Sequence, residues 1–416
     1  MTVITAEKHE EKQVTAPENA TAVRGIADIS GGRGFLRASG YLRSPGDIPL
    51  TTGQIRQFGL RNGDLVEGTA ATRLHSDGNA SGNSAMNNSK TNGKANTSRV
   101  KNNIGKTLVS VGSLNSIPAD QARHRPHFDD LTPVYPNERL RLENGDSSPT
   151  ARIIDLVSPI GKGQRGLIVA PPKAGKTMVL KTIARAITNG YPDVHLMMVL
   201  VGERPEEVTD LQRSVRGEVI YSTFDQSPDD HIKAAELAIE RAKRLVEMNH
   251  DVVVLLDSLT RLGRAYNLAA PNNSRTLTGG VAASALQPPR QFLGAARCLE
   301  ESGSVTILST ALIETGSQLD NVLFEEFKGT GNMELRLRRD LAEKRLFPAI
   351  DAMPSGTRRD DLLLDPAEHA AVTKLRRALA ALDPQHAIEL LIDKTKADIP
   401  NGSWLLQSAP GDSSQP

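Results

Sequence analysis

Apolar and polar positions change rhythm several times along the chain. Residues 1–24 show no periodicity and read as a disordered lead. From residue 25, short β-like runs alternate with Gly, Pro and Asp turns. Gly34-Phe35-Leu36-Arg37 and Asp64-Leu65-Val66-Glu67-Gly68 are two of them, and the texture is that of a small antiparallel, OB-like barrel. Residues 76–103 are dominated by Asn, Ser and Gly. They cannot bury enough apolar surface to order themselves and predict a disordered loop interrupting the barrel. Apolar residues return at Thr107-Leu108-Val109-Ser110-Val111, which completes the barrel by residue 118. Residues 119–149 form a Pro-rich, charged connector.

From 150 to 407 strand and helix patterns alternate, which predicts an α/β domain with a parallel sheet. Apolar runs at 166–170, 196–201, 252–256 and 305–309 suit buried parallel strands. A helix over 227–248 opens with a Ser227 cap and acidic Asp229 and Asp230. Its buried stripe is Ala235, Ala238, Ile239, Ala242, Leu245 and Val246. Asp365 caps a helix that starts at Pro366 and runs to 382, another spans 386–393, and 408–416 is a polar, frayed tail.

Composition narrows this picture. A chain of 416 residues has room for two or three domains, and 38% hydrophobic content leaves some of it outside a core. Net charge is +1, so a nucleic-acid partner needs local basic clusters. The single cysteine, Cys298, excludes an internal disulfide and reads as an inert core thiol. No stretch reaches the length of a membrane span, and the N-terminus lacks an apolar signal region. The expected compartment is the cytoplasm.

The strongest chemical signal is Ala170-Pro171-Pro172-Lys173-Ala174-Gly175-Lys176-Thr177. It follows a β run and opens a helical pattern, the context that a phosphate-binding loop requires. Backbone N–H groups at the helix start would hold phosphates, with Lys176 on the β- and γ-phosphates and Thr177 on Mg²⁺. Asp257 ends an apolar run and is either the Mg²⁺ partner or a cap of the next helix. Glu203 ends another run and is either a base for the attacking water or part of a solvated acidic turn with Glu206 and Glu207. The segments Thr276-Leu277-Thr278-Gly279-Gly280-Val281 and Lys328-Gly329-Thr330-Gly331-Asn332 are mobile loops or ordinary turns. Arg358 sits in a flexible setting, either a solvated charge or a group reaching across an interface.

In combination and order, these segments resemble the Rho family of bacterial transcription termination factors from 150 to about 364. Further signatures are Ser158-Pro159-Ile160-Gly161-Lys162-Gly163-Gln164-Arg165-Gly166, the run from Glu203 to Val208, Asp257-Ser258-Leu259-Thr260-Arg261-Leu262, and the run from Glu325 to Leu335. Weaker similarity to the family's RNA-binding module lies in Gly34 to Arg37, Tyr41-Leu42, Gln54-Ile55-Arg56 and Arg61-Asn62-Gly63-Asp64. The resemblance implies a RecA-like P-loop motor assembled as a homohexamer, with ATP at subunit interfaces. It would be a helicase that pulls nascent single-stranded RNA from the RNA polymerase elongation complex.

Carried over by position, Lys176 and Thr177 bind phosphate and Mg²⁺, Asp257 supports the metal through water, and Glu203 activates water. Lys173, Ala174, Gly175 and Met178 complete the nucleotide loop, and Gly161, Lys162, Gly163, Gln164, Arg165 and Gly166 join the cofactor-binding set. Arg204 matches a nucleotide-sensing arginine and Phe347 an aromatic that packs on adenine. Arg358 matches an arginine finger from the neighbouring subunit, with Arg345 near it. Phe35 and Arg37 on the barrel would contact RNA. In the pore, Arg275, Leu277, Thr278, Gly279, Gly280, Gln318 and Lys328 would grip it.

The chain also departs from the family pattern. A polar lead stands where a helical subdomain precedes the barrel. Arg33 and Pro49 replace stacking aromatics, Gln318 an expected lysine, and Ala282 an expected acid. Two alternatives stay open on sequence: another ring ATPase of this fold, such as a rotary-synthase subunit, and a paralogue that binds RNA or polymerase with weak turnover.

Overall fold

Two sheets organise the protein. The computed structural model describes residues 20–73, 105–271, 273–396 and 400–407. The expected loop at 76–103, the tail at 408–416 and most of the expected lead lie outside these residues.

The N-terminal sheet has the order Ile48–Leu50, Arg33–Arg37, Ala20–Ser30, Leu65–Arg73, Gly105–Leu114, Ile117–Pro118, and every pairing is antiparallel. Its first strand begins at Ala20, so residues 20–24 belong to the barrel and not to the lead. They pair residue by residue with the strand Leu65–Arg73, from Ala20 opposite Ala71 to Arg24 opposite Glu67. A helix, Thr52–Phe58, follows the third strand and is fixed by a capping box between Thr51 and Gln54. The Gln54 amide also donates to the Leu108 carbonyl at 2.7 Å, tying this helix to the far side of the sheet. Ala27, Leu36, Ile48, Val66, Leu108 and Leu114 fill the interior.

The larger sheet runs Glu218–Thr223, His195–Glu203, Val252–Asp257, Ser304–Leu312, Arg165–Ala170, Met333–Leu337, Ile350–Thr357. The first six strands are parallel. The expectation of a parallel sheet needs one correction, because Ile350–Thr357 pairs antiparallel with Met333–Leu337. The four expected strands all form, each extended by one to several residues. Helices cover both faces. Val253 and Leu255 point into one core with the helices Pro149–Val157 and Lys176–Gly190. Val252, Val254 and Leu256 point into the other with Pro228–Val246 and Leu259–Ala269. This strand alternation is the period of two that buries both faces. The connector is more than a spacer, since Pro133–Val134 pairs with Arg297–Leu299 at the side of this sheet.

The helix Pro228–Val246 is where barrel and motor meet, and we call it the junction helix. Gly63 of the barrel (φ +86°) lies so close that a Cβ there would sit 2.4 Å from the Glu240 carbonyl carbon. Around it Arg61 and Arg125 bind Glu247, and Arg125 binds Asp64 at 2.6 Å. Glu247 and Asp64 have fully buried side chains. Buried ion pairs of this kind fix the docking geometry even where their net stabilisation is small.

Candidate functional site

The phosphate loop joins the C-terminal end of Arg165–Ala170 to the helix Lys176–Gly190. Gly175 precedes that helix with φ +89°, and the Phe347 ring lies 3.4 Å from where its Cβ would be. Lys173 and Ala174 lie in the loop, and Thr177 and Met178 in the first turn of the helix, with Met178 exposed. Parallel strands bring the acidic partners to the same edge. Lys176 Nζ lies 2.5 Å from Asp257 Oδ1 and 3.4 Å from Glu203 Oε1. Thr310 donates to Asp257 at 2.8 Å. Glu203 and Asp257 are each 2% exposed. Burial and the neighbouring Asp257 push the Glu203 carboxyl up, while Lys176 and Arg261 oppose them. A buried carboxylate between two cations is one arrangement from which a general base can act. Arg204 follows Glu203 immediately and is exposed beside Glu207.

Several expected residues lie elsewhere. Gly161 to Gly166 enter the strand Arg165–Ala170 at its N-terminal end, roughly 20 Å from the loop at 3.3 Å per residue. Their contacts are structural: Lys162 pairs with Glu138 at 2.5 Å and Asp251 at 2.7 Å, and Gln164 donates to Asn332 at 2.7 Å. Arg165 donates to the Thr330 carbonyl at 3.2 Å, and Gly166 packs under Leu308 and Met333. The geometry does not place this segment on a nucleotide in its own chain's loop.

Arg358 also lies at that far edge, where its N–H donates to Asn332 and it lines a cavity of about 290 Å³ with Lys328. Arg358 therefore cannot reach its own phosphate loop. Arg345, expected beside it, is at the opposite end of the strand Ile350–Thr357, two residues from Phe347. Lys328 ends the helix Gln318–Lys328, about 15 Å from Gln318. It stands with Arg358 rather than with the other expected pore residues. Cys298, expected in the core, is half-buried, and burial raises its thiol.

On the barrel, Phe35 is 41% exposed. Pro49 is its cross-strand partner and Arg33 precedes it by two, so all three share a face. Arg37 differs from expectation. It is 5% exposed and bound to Asp28 at 2.9 Å and Asp47 at 2.5 Å, so it offers no free charge to a phosphate. Its guanidinium carbon instead lies 5.2 Å from the Phe35 ring centroid. On the motor, Thr276–Leu277 and Val281–Ala282 form a hairpin whose tip rests on the first turn of Gln318–Lys328. Arg275, Thr278, Gly280 and Gln318 are exposed there.

The geometry agrees with what the chain is similar to. Residues 150–357 match the ATP synthase alpha/beta family, nucleotide-binding domain, and residues 23–96 match the Rho termination factor, RNA-binding domain. The transcription termination factor Rho of Streptomyces lividans is 55% identical over 96% of this chain and 53% of its own length. The Rho of Streptosporangium roseum is 54% identical over 92% of this chain and 91% of its own length. The chain belongs to the Rho family of transcription termination factors. It spans about half the length of the Streptomyces lividans and Micrococcus luteus relatives, at 53% and 55%. Two solved structures share the fold. A type III secretion ATPase has TM-score 0.55 and 23% identity, covering 73% of this chain and 88% of its own. An ATP synthase subunit from Nanoarchaeum equitans has TM-score 0.51 and 20% identity, covering 60% of this chain and 65% of its own.

In this Rho-family chain the sequence reading missed one connecting element, the helix Leu259–Ala269. Arg261 Nη1 lies 2.5 Å from Glu203 Oε1. Arg264 forms a two-pronged pair with Asp320, at 2.8 and 2.5 Å, and Asp320 also accepts from Thr315 at 2.6 Å. Asn267 accepts from the Ala282 N–H at 2.7 Å and donates to the Gly280 carbonyl at 3.2 Å. Spacings of three place these residues along one flank of a helix. The 261/264/267 spacing of polar groups was the available signal.

Proposed function

We propose that this chain is an ATP-driven translocase on single-stranded RNA, acting as a ring of six to terminate transcription. The observation that carries this is the helix Leu259–Ala269. It joins Glu203, the base in this reading, to the hairpin 276–282 through Arg261 and Asn267, and through Arg264 and Asp320 to the loop 313–317 that precedes Gln318–Lys328. Lys176, Lys173, Ala174 and Gly175 would hold the phosphates, and Phe347 with Met178 would flank the base. Thr177 and Asp257 supply hard oxygen donors of the kind Mg²⁺ takes, and that ion would offset charge on the phosphates. Glu203 accepts a proton from the attacking water.

Arg358 faces away from its own loop, so as a finger it serves a neighbouring subunit. Nucleotide at such a shared site couples turnover to subunit contact. Arg275, residues 277–280 and Gln318 then shift RNA through the ring. The partners are nascent RNA and the RNA polymerase elongation complex. Among the described residues no helix is long and apolar enough to cross a membrane, and we place the protein in the cytoplasm. The test is ATP hydrolysis with a panel of RNA homopolymers. Stimulation by single-stranded RNA supports the reading, and equal rates with and without RNA would sink it.

A further inference from the structure

The barrel and the junction helix enclose a groove of about 610 Å³, lined on one side by Arg33 and Phe35 and on the other by Asp229 and Lys233. The size falls within the range of ligand sites. Beneath Phe35 lies a nearly closed polar chain. Asp28 is 4% exposed and offers each carboxylate oxygen to a different cation. Oδ2 accepts from Arg37 Nε at 2.9 Å, and Oδ1 meets Lys233 Nζ of the motor domain. Arg37 also holds Asp47 and lies under the Phe35 ring. Two cations therefore balance two carboxylates, and one of the cations comes from the other domain.

We propose that Lys233 is a positioning residue of the barrel's RNA site, acting through Asp28 and Arg37 on Phe35. The inference rests on the reading of the barrel as an RNA site. Removing the ammonium would leave Asp28 and Asp47 facing one guanidinium. That places uncompensated negative charge beneath a groove that takes a polyanion, and buried charge of this kind is costly. Arg37 would then re-pair, and the ring above it would lose its fixed seat. Lys233 spends its charge on Asp28, so it contributes no phosphate contact of its own. The RNA platform is thereby assembled only when the barrel is docked on the junction helix.

The experiment uses the full chain, labelled oligo-C RNA and a salt series, with variants Lys233→Met, Lys233→Arg and Phe35→Ala. Lys233→Met should weaken binding about fivefold or more, a part of what a stacked base contributes. The slope of log K against log salt should stay unchanged, because no phosphate contact is lost. The RNA concentration for half-maximal ATPase stimulation should rise while the maximal rate is kept, and Lys233→Arg should restore both. A slope lowered by about one unit would show that Lys233 binds phosphate directly, overturning the positioning role. Weakening by Phe35→Ala but not by Lys233→Met would also overturn it while leaving the barrel's RNA role intact. A loss that follows a lowered melting temperature and is not rescued by Arg would make the pair merely structural. No effect of either variant would instead remove the barrel as the RNA site.

Discussion

Glu203 and Arg37 are both ion-paired and both nearly buried, yet their surroundings give them opposite work. Glu203 ends a parallel strand at an open edge, raised by burial and held by Lys176 and Arg261. Glu203→Gln keeps the shape and should bind ATP near normally, while turnover falls by about a hundredfold or more in steady-state assays. Retention of a tenth of the rate would remove Glu203 from the role of base. Arg37 sits between two carboxylates under the barrel surface. Arg37→Ala should lower the barrel's stability by about 3–5 kcal/mol, because Asp47 loses its cation and Asp28 is left with Lys233 alone. Thermal melts followed by limited proteolysis within 25–73 would show this, and an unaltered melt would return Arg37 to the role of a free RNA contact. Glu203 was legible because its position after an apolar run is a strand-end position. Arg37 was not, because its partners Asp28 and Asp47 lie nine and ten residues away on other segments of the barrel, and only the fold brings them together.

At the scale of elements, periodicity did well where one face is apolar. The junction helix appeared with its Ser227 cap, and Asp365 caps Pro366–Leu379 as expected. The antiparallel strand Ile350–Thr357 escaped because Pro354 and Gly356 break its apolar run. The helix Leu259–Ala269 escaped as a functional element because its partners Asp320 and Gly280 are distant in sequence. Arg264→Ala and Asn267→Ala should leave basal ATPase in place and lower its stimulation by RNA, since each frees one loop from the helix that reaches Glu203. Full stimulation in both variants would show that the loops do not report through this helix. Gly63→Ala tests the other contact element. A methyl group 2.4 Å from the Glu240 backbone forces barrel and motor apart, and small-angle scattering or interdomain proteolysis should register a looser molecule.

At the scale of the whole molecule, the residues proposed for the site lie at two edges of one sheet. The nucleotide loop, Glu203 and Asp257 share one edge, while Arg358 and Lys328 occupy the other. The sequence held every one of these residues but no distance between them, so Arg345 and Arg358 could be paired on paper although a full strand separates them. Arg358→Ala should bind ATP yet hydrolyse it on the order of a thousandfold more slowly. Mixing it with Lys176→Ala subunits should recover activity, because a mixed interface can join an intact finger to an intact loop. No recovery after verified subunit exchange would argue against a shared site. Whether ATP turnover moves RNA is measured directly by release of a DNA oligonucleotide annealed downstream on a single-stranded RNA. Wild type should release it only with hydrolysable ATP, and Glu203→Gln should bind the RNA and release nothing. Vigorous RNA-stimulated hydrolysis without release, or release without ATP, would contradict the account.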